Sequence, residues 1–488
     1  MYAFDLQGPV HIDFNLTNAC NLACKHCHSS SGVKLNNELN LEEVTKITTE
    51  LHELGVLSIA FAGGEPFIRN DIIEILSHAC SLPGWSVAVI TNGMFFTPRV
   101  IEGLSRNCRN NITVNISLDG STAEYFSILR GQRSHNVSRG GENLFKRVVD
   151  GIRAVVDAGL QNSINFTLTK ATILNCLPTY RFVIGELKAG GMVAIKFFPG
   201  GFGKSHLDEF EIPYPLWHKE FTQLTLKKLK GELPGMQISV PAPWEFYLPL
   251  IEAGISLEKA ESAWGYRSPL REKAYRNGRT IGDVAGVAEL AIAGNGLVYP
   301  SVLFVGVPSM VCGDSHQLSI KEIWESSETL LQLRSLGIED VAGGCNRCNL
   351  KTLCGGGSRS RAYAALHHIY GKDYLCPILP ESQAMKANIP AWNSTLVGSP
   401  LQEISASPIS RITVWGEGSS AVRIFRRDIG CEIRMSGYVI RCNEELATLL
   451  DPFCASSDGA MAFGLNVNET EADVISNLVK RLNELVLA

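Results

Sequence analysis

Nowhere does this chain offer about 20 consecutive residues free of charge and of glycine or proline breaks, so no membrane-spanning helix is expected. Its most apolar stretch, Val284 to Val311, is interrupted by Glu289, Asn295, Gly296, Pro300 and Pro308. Met1 to Pro9 lacks the basic start and long apolar core of a secretory signal. Basic blocks are missing too. Lys and Arg number 44 against 49 Asp and Glu, a formal charge of -5, which argues against a nucleic-acid partner because phosphate binding needs clustered positive charge. There is no low-complexity tract and no internal repeat beyond a βα alternation. What is present is ordinary for a folded protein: 45% hydrophobic and 19% charged residues, too apolar for extensive disorder. A soluble, cytoplasmic protein is expected, and 488 residues exceed what one core supports, so about two to four domains are anticipated.

In a reducing compartment, 14 cysteines are not readily explained as disulfides, and those with short regular spacing read as metal ligands. Cys20, Cys24, Cys27, Cys345, Cys348, Cys354 and Cys376 fit that description. Cys80, Cys108, Cys176, Cys431, Cys442 and Cys454 have no ligand spacing and read as small buried hydrophobes. Cys312 is either part of an incomplete site or, more simply, a non-ligand.

From Val10 to about Pro199, β-rich runs alternate with amphipathic helical stretches, as in repeated βα units around a parallel sheet. The patterns predict strands at Val10–Leu16, Leu57–Ala62, Ser86–Thr91, Ile112–Leu118, Asn162–Thr169 and Met192–Phe198. Helices are predicted at Leu41–Leu54, Asp71–Ser81, Pro98–Arg106, Leu144–Ala158 and Leu177–Ala189. Residues 1–200 thus form an α/β unit, followed by a helical connecting region at 201–284 and a cysteine-rich unit at 285–389. The latter opens on a hairpin, Ala288–Ala293 and Leu297–Val302 about Gly294-Asn295-Gly296. Residues 390–408 read as a Ser/Pro linker and 409–488 as a small α+β domain, with three or four strands in Arg411–Cys442 and helices beyond.

Directly after the first strand comes Cys20-Asn-Leu-Ala-Cys24-Lys-His-Cys27. Three thiolates so close in sequence can hold three irons of a 4Fe-4S cluster and leave the fourth open. A structural zinc site is the alternative, with His26 or His28 as fourth ligand. The position favours chemistry, because loops at the C-terminal ends of parallel strands build active sites.

On these residues the chain resembles the radical S-adenosylmethionine (SAM) superfamily over about residues 10 to 200. The resemblance implies a partial (β/α)6 TIM barrel. It also implies a 4Fe-4S cluster on Cys20, Cys24 and Cys27 that splits SAM to a 5'-deoxyadenosyl radical. Gly63, Gly64, Glu65 and Pro66 match the family's GGEP loop, which holds the SAM amino group; glycine would let backbone approach the ligand and the carboxylate would complement an ammonium. Asn92, in Thr91-Asn92-Gly93, and Ser117 and Asp119, in Ser117-Leu118-Asp119-Gly120, resemble loops that approach the ribose and carboxylate of SAM. Arg130 resembles the arginine that binds the SAM carboxylate, and Lys196 with Pro199-Gly200-Gly201 resembles the sixth-strand region near the adenine.

Cys345, Cys348, Cys354 and Cys376 follow a Cys-x2-Cys-x5-Cys pattern with a distant fourth thiol, which suits either a closed 4Fe-4S cluster or zinc. With the hairpin, the Trp324 segment and the Cys354-Gly-Gly-Gly run, it resembles the SPASM extension of radical SAM enzymes. Members with two auxiliary clusters carry cysteines where Ser301 and Ser358 stand, and another upstream of the hairpin, where Ala285 to Gly296 has none. The resemblance therefore implies one auxiliary 4Fe-4S cluster, not two.

SPASM enzymes commonly modify ribosomally made peptides, and less often proteins or haem precursors. His28-Ser29-Ser30-Ser31-Gly32 and the Ser117-Leu-Asp-Gly loop look most similar to peptide-modifying maturases such as the mycofactocin maturase. Residues 409–488, with Val439 to Glu445 leading into a helix, are similar to the peptide-chaperone domain of pyrroloquinoline quinone biosynthesis, where a strand edge recruits a leader peptide; a merely stabilising cap is the alternative. The implied partners are a ribosomally made precursor peptide and a reductant such as flavodoxin or ferredoxin. The implied reaction is a crosslink, epimerisation or decarboxylation. Chemistry on a haem precursor, small molecule or protein side chain, and non-catalytic metal or peptide binding, stand as the alternatives.

Overall fold

The computed structural model describes residues 6, 8–109, 111–131, 140–271, 279–378, 409–415, 422–427, 431–435 and 438–442. Its centre is a mixed α/β layer built on one sheet. The six predicted strands form at His11–Asn15 (β1), Ser58–Ala62 (β2), Ser86–Thr91 (β3), Ile112–Ser117 (β4), Asn162–Leu168 (β5) and Met192–Lys196 (β6), all parallel neighbours in chain order.

Two further parallel strands flank them. Met236–Ser239 (β7) pairs with β6, and Glu289–Ile292 (β8) pairs with β1, His11 opposite Glu289. Leu297–Tyr299 (β9) completes the predicted hairpin with β8, and Gly313–Asp314 (β10) adds an edge, giving ten strands in the order β10-β9-β8-β1-β2-β3-β4-β5-β6-β7. The region 201–284 is therefore not purely helical, as its composition suggested. It carries helices at Tyr214–Leu229, Pro243–Glu252 and Leu257–Trp264, but β7 between them extends the sheet.

Alternation along the strands separates two faces. Ile12, Phe14, Val87, Val89, Val114, Ile116, Ile164 and Phe166 are buried and pack in one core with Val44, Leu51, Ile75, Leu76, Val148 and Ile152 of the surrounding helices. Each such side chain contributes roughly 1.5–3 kcal/mol on burial. The opposite face is more polar and partly open, with Asn115, Ser117, Ser163 and Asn165 half-buried.

Helix starts follow local chemistry. Asn40 and Glu43 form a reciprocal capping box at the head of Leu41–Glu53, and Thr97 caps Pro98–Asn107. The predicted helix Leu177–Ala189 is instead a short α-helix, Cys176–Tyr180, that widens into a π turn at Arg181–Glu186, where Leu187 donates to Phe182 five residues back. A helix at Ala123–Leu129, capped by Thr122, escaped the sequence reading.

In the C-terminal part four strands, Ile409–Trp415 (β11), Val422–Arg427 (β12), Cys431–Met435 (β13) and Tyr438–Cys442 (β14), form an antiparallel sheet in chain order, as expected. The linker 390–408 and the helices expected after Asn443 lie outside the described residues. Among the described residues no helix is long and apolar enough to cross a membrane.

Candidate active site

The loop carrying Cys20, Cys24 and Cys27 leaves the C-terminal end of β1, and all three thiols are half-buried. Three neighbouring loops grip its backbone. Gly64 and Glu65 donate to Thr17 O at 2.7 Å and Ala19 O at 2.8 Å; Ala23 and Lys25 donate to Gly131 O at 2.7 Å and Leu129 O at 2.9 Å; Phe202 donates to Cys27 O at 2.9 Å.

This grip requires glycine at three positions. A Cβ on Gly63 would lie 2.4 Å from Thr17 O, and one on Gly64 2.0 Å from Ala19 O. On Gly201, whose φ is +49°, it would meet His28 O at 2.4 Å. Glycine is needed at these positions so that the loops after β2 and β6 can lie against the cysteine loop.

Glu65 is also committed to the protein. It is fully buried, and its carboxylate accepts from Thr91 Oγ1 at 2.8 Å, Asn92 N at 2.8 Å and Phe67 N at 3.1 Å. Burial pushes its pKa up to about 7, against the pull of those three donors. Pro66 opens the 3-10 turn Pro66–Ile68. Asn92 donates from its side chain to Asn21 Oδ1 at 2.8 Å, tying the end of β3 to the cysteine loop. Glu65 thus joins the β2 and β3 loops.

Asp119 and Arg130 form the most charged part of the site. Arg130 Nε donates to Asp119 Oδ2 at 2.6 Å, and its Nη1 donates to Cys24 Sγ at 3.8 Å. Asp119 Oδ1 accepts from Thr167 N at 2.7 Å, and His26 Nε2 lies 3.7 Å from Asp119 Oδ2. Burial would raise the Asp119 pKa, but the Arg130 guanidinium holds it below the usual value. Cys24 is pushed up to about 12 by burial, with Arg130 opposing. His26 is pushed down to about 4, chiefly by burial. Ser117 is half-buried at the end of β4.

Lys196 ends β6, the predicted sixth strand. Its ammonium is 2% exposed and is taken up by Glu211 Oε1 at 2.9 Å and Glu245 Oε1 at 2.8 Å. Glu245 in turn receives both Nη atoms of Arg361 at 3.0 Å, and Arg361 Nη2 reaches Asp373 Oδ2 at 2.7 Å. No spacing rule links these residues, and the sequence reading missed Glu211, Glu245, Arg361 and Asp373.

The second cysteine set gathers near that network. Cys345 heads a 3-10 turn that ends before Cys348; Cys354 ends the helix Lys351–Cys354; and Cys376 donates its N–H to Asp373 O at 3.1 Å. Gly355, Gly356 and Gly357 all have positive φ and turn the chain sharply after Cys354. Burial raises the Cys354 thiol, and the charges of Cys376, Asp373 and Cys345 raise it further. Ser358, where relatives with two auxiliary clusters have cysteine, caps the helix Arg359–Leu366 by accepting from Arg361 N at 3.3 Å. Cys312 donates to Met310 O at 3.7 Å, beside Ser327 and Arg334. Among the described residues no three His, Cys, Asp or Glu side chains converge as ligands of a single metal ion would.

Soft thiol donors in two groups fit an iron-sulfur group by their chemistry, and because burial raises Cys24 and Cys376, binding must displace their protons. In the first group only three cysteines come from the loop, with a guanidinium against one of them.

Comparison with known proteins agrees with this geometry. The model of the radical SAM superfamily matches residues 14–173. An AdoMet-dependent heme synthase of Methanosarcina barkeri is 27% identical over 390 residues, 77% of this chain and 98% of that protein. The mycofactocin maturase MftC of Mycolicibacterium smegmatis is 38% identical over 140 residues, 28% of this chain and 35% of that protein. Among solved structures, Streptococcus suis SuiB bound to precursor peptide SuiA superposes with a TM-score of 0.59 at 18% identity, covering 76% of each chain. Residues 14–173 form a radical SAM domain, in a chain similar to AdoMet-dependent heme synthases and to maturases of ribosomally made peptides.

Proposed function

We propose that this enzyme modifies a ribosomally made peptide by crosslinking, epimerisation or decarboxylation. Cys20, Cys24 and Cys27 would hold the catalytic 4Fe-4S cluster, and Cys345, Cys348, Cys354 and Cys376 one auxiliary 4Fe-4S cluster. When bound, a three-cysteine cluster with an open iron supplies the electron that splits SAM and releases a deoxyadenosyl radical. Asn92, Ser117 and the Gly63–Pro66 loop line the strand ends where SAM would bind, and Arg130 holds a positive charge against Cys24. Asp119 pairs with Arg130 at 2.6 Å, which supports assigning it to the SAM loop in preference to proton transfer. Flavodoxin or ferredoxin is the reductant we favour.

The observation that carries the peptide reading is the four-stranded antiparallel sheet β11–β14, whose end strands β11 and β14 each pair with only one neighbour among the described strands. An unpaired edge recruits an extended peptide by main-chain hydrogen bonding. SuiB, similar in fold, was solved with a precursor peptide bound. A second reading, a haem precursor as substrate, draws on the likeness to the heme synthase over 98% of that protein's length.

The test is anaerobic reconstitution of the full chain, with iron and sulfide determined and deoxyadenosine formation from SAM followed under dithionite. About eight irons and deoxyadenosine production are expected. Binding of the full chain to a candidate precursor peptide, compared with a haem-precursor tetrapyrrole, then separates the substrates. Tight tetrapyrrole binding without peptide binding overturns the peptide reading.

A further inference from the structure

Five charged side chains meet between the end of β6 and the segment bearing Cys354 and Cys376. Lys196 bridges Glu211 and Glu245, Arg361 bridges Glu245 and Asp373, and the Asp373 carboxylate also accepts from Trp244 Nε1 at 3.0 Å, Ser358 N at 3.2 Å and Leu375 N at 3.2 Å. Lys196, Glu245, Arg361 and Asp373 are each 2% exposed or less, and Glu211 is 18% exposed. Two cations against three carboxylates leave a formal charge of -1 in the group.

Such a group is a poor way to gain stability alone, because each buried ion loses several kcal/mol of hydration and well-packed apolar side chains often serve as well. Its placement suggests a different use. Asp373 is three residues before Cys376, and its backbone carbonyl accepts that residue's N–H at 3.1 Å, while Arg359 and Lys372 also bear on the Cys345 thiol. Arg361 lies on the helix that follows the Cys354 turn, and Lys196 is the last residue of β6.

We propose that Lys196, Glu245, Arg361 and Asp373 are positioning residues that hold the Cys376 turn in register with the end of β6 and set the electrostatic potential at the auxiliary cluster; the inference rests on the auxiliary-cluster reading above. In a low-dielectric setting each uncompensated carboxylate disfavours adding an electron nearby, and each cation favours it. Loss of Arg361 exposes the cluster to two carboxylates and lowers its reduction potential. Loss of the Glu245 charge raises it.

The experiment uses the full chain, reconstituted anaerobically, with iron content and the auxiliary cluster's midpoint potential measured by EPR-monitored redox titration. Wild type is expected to hold about eight irons. Arg361→Met should shift the midpoint negative, Glu245→Gln should shift it positive, and the double variant should return it toward wild type. Glu211→Gln, at the partly exposed end, should raise the midpoint with iron retained, and it stands in if the buried variants fail to fold. Eight irons with shifts of one common sign, or none, overturn the proposal alone. About four irons in wild type overturn the auxiliary-cluster reading and the proposal with it.

Discussion

Arg130 donates to Asp119 at 2.6 Å and, from the same guanidinium, reaches the sulfur of Cys24 at 3.8 Å. Eleven residues separate the ion pair in sequence, so one short helix, Ala123–Leu129, sets the reach from the β4 end to the cysteine loop. Arg130→Met leaves Asp119 buried without its cation and should destabilise the fold by about 3–5 kcal/mol. Arg130→Lys keeps the charge but not the two-directional geometry, and should be milder in stability while still lowering deoxyadenosine formation. Denaturant unfolding and product quantification on the same preparations check both halves.

Cysteine variants separate the two thiol groups. Alanine at Cys20, Cys24 or Cys27 should cost about four irons per chain and all SAM cleavage. Cys348→Ala should leave SAM cleavage detectable and abolish turnover on the true substrate. Unchanged substrate turnover in Cys348→Ala would refute a role for the second group in the reaction.

The glycine contacts predict a contrast among alanine substitutions. Gly64→Ala forces a Cβ to 2.0 Å from Ala19 O and should displace the cysteine loop, lowering iron uptake. Gly159→Ala, at φ +66° with nothing within 4 Å of its Cβ, should cost only about 1 kcal/mol of backbone strain and leave iron content unchanged. Iron analysis beside thermal unfolding distinguishes a displaced loop from a merely less stable chain.

Glu65 makes stability depend on pH. Its folded pKa of about 7 exceeds its ordinary 4.5 because burial penalises the carboxylate. The folded state therefore keeps a proton that the unfolded chain releases. The group's relative stabilisation is full below about pH 4.5 and is lost as pH rises through 7, at roughly 3 kcal/mol in all. Glu65→Gln should flatten that slope while losing the bond from Asn92 N, which an amide NH2 cannot accept. Urea unfolding of the metal-free chain at pH 5, 6, 7 and 8 measures the slope in both proteins.

Much of the barrel was legible because burial on one face imposes a period of two on strands and nearly four on helices. β4 alternates apolar and polar residues throughout and β5 from Ser163 onward, and their predicted limits lie within a residue of those observed. β7 was hidden because four residues, Met236–Ser239, carry too little pattern beside long helical runs. The π turn at Arg181–Glu186 was hidden because a widened turn keeps nearly the same apolar spacing as an α-helix.

By itself the sequence determined the radical SAM domain, since three thiols within eight residues after a strand can act on one cluster without help from distant chain. It also determined the order of the first six strands, because each strand's pattern is local. Only the tertiary structure decided which protein groups Glu65, the glycines and Lys196 meet. Lys196 meets Glu245 49 residues on, and Glu245 meets Arg361 116 residues further. Charges so far apart in sequence find each other through folding and desolvation, and no local pattern encodes that meeting.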